Sequence, residues 1–141
     1  MHPLVLALIT AMAWGIGGYF EKKGLHAGAL SPAVGATLRT VVALAVLAVA
    51  SGSELRQLAS APPKALASIV LGGGIVAGGI GILAFYAAIK GGSLQQVMPV
   101  AFTSPLFGAA AAILLGGEEL SPRTAAGMVL TLAGIALIAS R

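Results

Sequence analysis

Arg39 is the residue whose chemistry most needs explaining. It lies about seven positions into an apolar run that opens at Ser31-Pro32. A guanidinium that deep in a membrane span costs about 2.5–3.5 kcal/mol on insertion scales. Two readings follow. Either the side chain faces an enclosed polar space, or it snorkels along the helix to an interface, a reach of about 10 Å. The acids are placed differently: Glu21 closes the first apolar run, Glu54 falls between runs, and Glu118 and Glu119 precede the last one. On this reading no carboxylate sits at the centre of a run, so Arg39 has no evident acidic partner. A cation without a counter-ion suits an anionic or zwitterionic ligand, and the carboxylate that an organic-cation/proton antiporter needs is missing.

Other polar and aromatic residues fall on stripes. Thr10, Trp14, Gly17 and Glu21 are spaced four, three and four apart, which is one helical face. Such a face points inward, with Trp14 either lining a cavity or filling the core. Gln96, Pro99 and Thr103 form a second stripe with Phe102 beside it. Pro99 and Pro105 remove backbone hydrogen bonds and kink a helix. The third run holds Gly72, Gly73, Gly74, Gly78, Gly79 and Gly81. Gly74 and Gly78 make a small-xxx-small pair for close packing, and Gly78 is also a place to bend. Gly127, Thr131 and Gly134 share a face suited to packing against another helix or subunit.

These residues must be positioned by helices in lipid. Of the 141 residues, 58 % are hydrophobic and 9 % charged, where a water-soluble fold needs roughly a quarter charged. Apolar runs long enough to cross a bilayer cover about 3–20, 32–50, 64–89, 94–115 and 122–140. Ser31-Pro32 and Ser121-Pro122 read as N-cap followed by first helical residue, and Ser93 to Gln96 as a capping box. The expected fold is an all-α membrane protein, one domain of five transmembrane helices joined by short turns, with a longer connection near Ser51–Pro63. The first run lacks the basic start of a cleaved signal.

Several classes fall away. The eight basic residues are scattered, so no stripe tracks a nucleic-acid backbone. There is no cysteine, and His2 and His26 lack companions at ligand spacing. No metal, cofactor or catalytic triad is expected, and the chain is not read as an enzyme.

The chain resembles one EamA-type repeat of the drug/metabolite transporter superfamily over nearly its whole length. The likeness rests on Ala13-Trp14-Gly15 with Lys22 or Lys23 after it, and on Ser31-Pro32 with Arg39 following. It is carried most by FYAAIKGGS (Phe85–Ser93), VMPVAFTSPLFGA (Val97–Ala109) and LGGEELSP (Leu115–Pro122), in the family's order, then Gly127 and Gly134. The resemblance implies a five-helix repeat and secondary, ATP-independent transport of small metabolites in a prokaryotic inner membrane. Family members typically join two inverted repeats around a midplane site. One repeat is read here, so a second copy is expected from another chain.

Charge counting suggests how two copies would meet. Arg56, Lys64 and Arg123 mark the side of the N-terminus, and Lys22, Lys23, Lys90 and Arg141 the other. Three against four gives almost no orientation bias, so an antiparallel homodimer with dual topology is expected; a parallel dimer or a paralogue as partner are the alternatives. The leading function is transport of an amino-acid-like or organic-acid metabolite by alternating access, with Trp14, Arg39, Gln96, Phe102 and Thr103 lining the cavity. Pro99, Pro105 and Gly78 would bend or gate, and Gly74, Gly127 and Gly134 would pack. The competing readings are a structural subunit of a larger membrane complex and a cation/proton antiporter.

Overall fold

A computed structural model describes residues 2–117 and 119–139. Glu118, Ser140 and Arg141, which mark a helix flank, a helix end and a charge in the sequence reading, lie outside the described residues. All regular elements among the described residues are helical: α1 (Pro3–Ala27), α2 (Pro32–Ser51), a 3-10 stretch (Gly52–Ala59), α3 (Pro63–Ser68), a π-helical segment (Ile69–Gly81), α4 (Ile82–Gly91), α5 (Leu94–Ala101), α6 (Ser104–Gly116) and α7 (Pro122–Ala139). They form two compact units, Met1–Gly91 and Gly92–Arg141.

In the first unit, α1 outlasts its apolar run. The run fades at Phe20, yet the helix continues for seven residues to Ala27 and carries Glu21, Lys22, Lys23 and Gly24 inside it. Hydropathy marks where lipid contact weakens, whereas the helix persists as long as its backbone bonds and packing do. Leu25 supplies that packing, 2 % exposed. The helix closes with the Gly28 and Leu30 amides donating to the Gly24 and Leu25 carbonyls, both at 3.0 Å. α2 starts where its Ser-Pro signal places it, with Ser31 Oγ accepting from the Val34 amide at 3.2 Å. The expected loop after α2 is largely the 3-10 stretch, so Glu54 and Arg56 are on a helical turn.

The core of this unit is small and lies where α1, α2 and α4 meet. Leu25, Ala36, Tyr86 and Ile89 are its buried hydrophobic residues, with Gly18 and Gly35 buried among them. Tyr86 is therefore part of the core. Gly35 makes the approach possible: a Cβ there would stand 2.5 Å from Leu25 Cδ2 and 2.9 Å from Tyr86 Cε1. The glycine-rich third run is one continuous helix, Pro63–Gly91, wound as π over its middle thirteen residues.

In the second unit the expected fourth span is two helices. α5 ends at Ala101 and α6 begins at Ser104, with Phe102 and Thr103 between them. Pro99 sits inside α5; the break comes ahead of Pro105. That proline has no amide to donate, and its ring crowds the carbonyl four residues back, so it is accommodated in the first turn of a new helix. α7 opens as the sequence predicts, Ser121 Oγ accepting from the Thr124 amide at 3.1 Å, and lies beside α5.

Among the described residues, four helical stretches, some built from consecutive helices, are long and apolar enough to cross a membrane: Pro3–Ala27, Pro32–Ala59, Pro63–Gly91 and Leu94–Gly116. The apolar stretch of α7, Pro122–Ile138, is shorter. Large apolar side chains such as Leu44, Val49 and Leu115 lie largely exposed, as lipid-facing residues must.

Candidate functional site

α1 and α2 form an antiparallel hairpin, and the hairpin explains where its charges meet. Glu21 lies six residues before the end of α1, and Arg39 seven residues after the start of α2. At 1.5 Å per residue both stand roughly 10 Å from the turn. They are at one level, and Arg39 Nε donates to Glu21 Oε1 at 2.8 Å. The expectation that Arg39 has no acidic partner is thus overturned, and with it the inference that an unbalanced cation demands an anionic ligand. The stripe with Thr10, Trp14 and Gly17 puts Glu21 on an inward helical face; what was missed is that the hairpin brings Arg39 to the same level.

A third helix contributes Tyr86, 3 % exposed, whose hydroxyl lies close enough to Glu21 and Arg39 to feel both charges. Its ring is held by Leu25 and by the bare face of Gly35, so its oxygen is a fixed point. Glu21, Arg39 and Tyr86 form a polar cluster drawn from α1, α2 and α4. Its two charges remain partly open, with side chains 20 % and 36 % exposed for Glu21 and Arg39. Glu21 takes only Nε. The Nη1/Nη2 fork makes no hydrogen bond among the described residues. Nearby, Lys90 Nζ donates to the Leu30 carbonyl at 2.6 Å, so this lysine ties α4 to the α1–α2 turn as well as carrying charge.

A cleft of about 250 Å³ opens elsewhere in the same unit, between α2 and the π segment with α4. Ala36, Thr37, Thr40, Gly78, Gly79 and Ile82 are among its walls. Its two threonines are spent locally: Thr37 and Thr40 donate to the Ala33 and Ala36 carbonyls, both at 2.8 Å. The cleft therefore offers shape and apolar contact, and the cluster offers charge.

The other residues singled out in the sequence are placed as follows. Trp14 is 54 % exposed and Thr10 is exposed, so of their stripe only Gly17 and Glu21 turn inward. In the second unit Ser93 makes no cap bond to the backbone; its hydroxyl donates to Gln96 Oε1 at 3.2 Å. Phe102 caps α5, and Thr103 Oγ1 donates to the Val100 carbonyl at 2.8 Å. A Cβ on Gly78 would stand 2.9 Å from the Gly73 oxygen, so π winding there depends on glycine. Gly74 would meet only Ile69 O, at 3.9 Å, and Gly127 and Gly134 nothing within 4 Å. The glycine at a close helix approach within the chain is Gly35, which no spacing motif flagged. Glu21 and Tyr86 were likewise missed as site residues. Counting back from the α1–α2 turn would have found Glu21.

The chain matches the model of the EamA-like transporter family over residues 1–140. It is 31 % identical over 134 residues to an uncharacterized protein of Pseudomonas aeruginosa, covering 95 % of this chain and 44 % of that one. The chain thus spans less than half the length of this relative. No solved structure matches it.

Proposed function

Because this chain belongs to the EamA-like transporter family, we propose that it serves as a secondary transporter of small carboxylate-bearing metabolites, amino-acid-like or organic-acid, in a bacterial inner membrane. The observation that carries this reading is the Arg39 guanidinium, held by Glu21 through Nε with its outer fork unspent. A carboxylate matches that fork with two parallel hydrogen bonds. Glu21 orients the group, Tyr86 stands beside both charges, and the ligand takes what is left. Transport proceeds by alternating access, with Gly78, Pro99 and Pro105 as points of bending and Trp14, Gln96, Phe102 and Thr103 as further lining residues.

A second reading draws on the same pair. Glu21 supplies the in-helix carboxylate that a cation/proton antiporter requires. Arg39 at 2.8 Å repels any cation that approaches that acid, which favours the carboxylate reading.

The relative's greater length supports a working unit of two such halves. We propose that another copy supplies the second, inserted in the opposite orientation and packed through Gly74, Gly127 and Gly134. A compartment-sensitive reporter fused after Arg141 tests this: two populations on opposite sides are expected, and one location for all molecules ends the dual-insertion idea.

The ligand test is a thermal-shift panel on purified protein with carboxylates, amino acids and quaternary ammonium compounds. Stabilisation by carboxylate-bearing compounds, abolished in Arg39→Gln, is the expected result. Stabilisation by quaternary ammonium compounds alone would replace this reading with the cation exchanger. Stability only alongside another membrane protein would favour a structural subunit.

A further inference from the structure

We propose that Glu21 is a proton-coupling residue: it takes up one proton whenever a ligand that carries a net negative charge settles its carboxylate on Arg39. The inference rests on the carboxylate reading above and adds to it the coupling ion.

The argument begins with charge balance. Glu21 and Arg39 together are neutral. An arriving monocarboxylate places two negative charges on one guanidinium within helices that cross the bilayer. Two carboxylates sharing a site do not both keep their charge easily, because mutual repulsion and poor solvation favour protonating one of them. The ligand's carboxylate takes two donors of the fork, whereas Glu21 holds a single Nε hydrogen bond. Glu21 is the acid with less to lose. A proton from water goes to a Glu21 carboxylate oxygen, the Nε bond loosens, and the loaded site returns to neutrality.

Tyr86 makes the neutral state tolerable. Its hydroxyl lies beside Glu21, and a phenol can donate to a carboxylate or accept from a carboxylic acid. Its ring stays in place through this exchange, wedged over Gly35. Within α1, α2 and α4 there is no other Asp or Glu to compete for the proton. α1 carries Tyr19, Lys22, Lys23 and His26, α2 carries Arg39, and α4 carries Tyr86 and Lys90, the last bound to the Leu30 carbonyl. Glu21 is the only Asp or Glu before Glu54.

A zwitterionic ligand behaves differently. Its ammonium group brings its own positive charge, so the loaded site is neutral without a proton. Lactate and alanine are nearly the same size and differ in this respect, which makes them the natural pair of ligands to compare.

The experiment is calorimetric titration of the purified full chain with lactate and with alanine near neutral pH, in two buffers of different ionisation enthalpy. The expected result is about one proton taken up per lactate bound and none per alanine. Lactate affinity then falls about tenfold for each unit rise in pH, and Glu21→Gln removes both the uptake and the pH dependence. The wild-type proton count stands alone if that variant does not fold. Lactate binding without proton uptake, or with uptake unchanged in Glu21→Gln, overturns the proposal. Alanine binding with no lactate binding also overturns it and leaves the carboxylate reading intact. Binding of neither ligand, with quaternary ammonium compounds bound instead, defeats both.

Discussion

The two units of this chain are made of similar helices and spend their polar groups differently. In Met1–Gly91 charged side chains reach between elements: Arg39 of α2 to Glu21 of α1, and Lys90 of α4 to the Leu30 carbonyl in the α1–α2 turn. In Gly92–Arg141 the side-chain bonds of Ser93 to Gln96, Thr103 to Val100, Ser121 to Thr124 and Thr131 to Gly127 stay within one turn. The first unit also has buried residues, including a glycine that brings three helices together. Lipid tails are as apolar as leucine, so burying leucine does not by itself hold membrane helices together. Close approach and interhelical polar bonds must do so. The first unit has both, and so can hold charged groups in a defined geometry.

The sharpest way to break this contrast is at its glycines. Gly35→Val places atoms inside the space of Leu25 and Tyr86 and should destabilise the protein by about 3 kcal/mol. Gly134→Val, with nothing within 4 Å, should change stability by no more than about 0.5 kcal/mol in isolated subunits. Thermal unfolding in detergent compares the two. Next in size is the ion pair. Arg39→Gln and Glu21→Gln should each cost about 2 kcal/mol, since each strands a group that loses a charged hydrogen-bond partner. The double change Arg39→Met with Glu21→Met should cost less than the sum of the corresponding single changes to Met. Strict additivity would mean that the two side chains do not meet.

Smaller effects sharpen the comparison. Lys90→Met removes the bond to the Leu30 carbonyl and should cost about 1 kcal/mol, with faster hydrogen exchange at the α1–α2 turn. Thr103→Val removes only a local bond within the second unit and should stay below about 0.5 kcal/mol. If Thr103→Val cost more than Lys90→Met, the contrast between the units would be wrong.

Membrane class and helix starts were legible in the residues, because hydropathy and capping are local properties. Ser31-Pro32 and Ser121-Pro122 begin helices as read. Helix ends were less legible. α1 continues past Phe20 because Leu25 and its neighbours pack against other helices, and no window of hydropathy contains that information. Glu21 was legible as part of an inward stripe, but that it meets Arg39 depends on how the α1–α2 hairpin closes, which no stripe contains. The break at Phe102–Thr103 was foreshadowed by Pro105, but its position depends on which proline the chain accommodates in a new first turn. The π winding of Ile69–Gly81 follows no residue spacing; the glycines permit it and the fold selects it. Gly35 escaped notice because a single glycine in a helix resembles any other until its neighbours are known.

The central claim is that Glu21 holds Arg39 in a pair a ligand can exploit. The nitrogen resonance of Arg39 Nε, in arginine-labelled protein and assigned with Arg39→Lys, tests it most directly. A hydrogen-bonded shift that collapses in Glu21→Gln and moves when a carboxylate ligand binds is the predicted result. A free-guanidinium shift, identical in wild type and Glu21→Gln and indifferent to every carboxylate, would contradict the account.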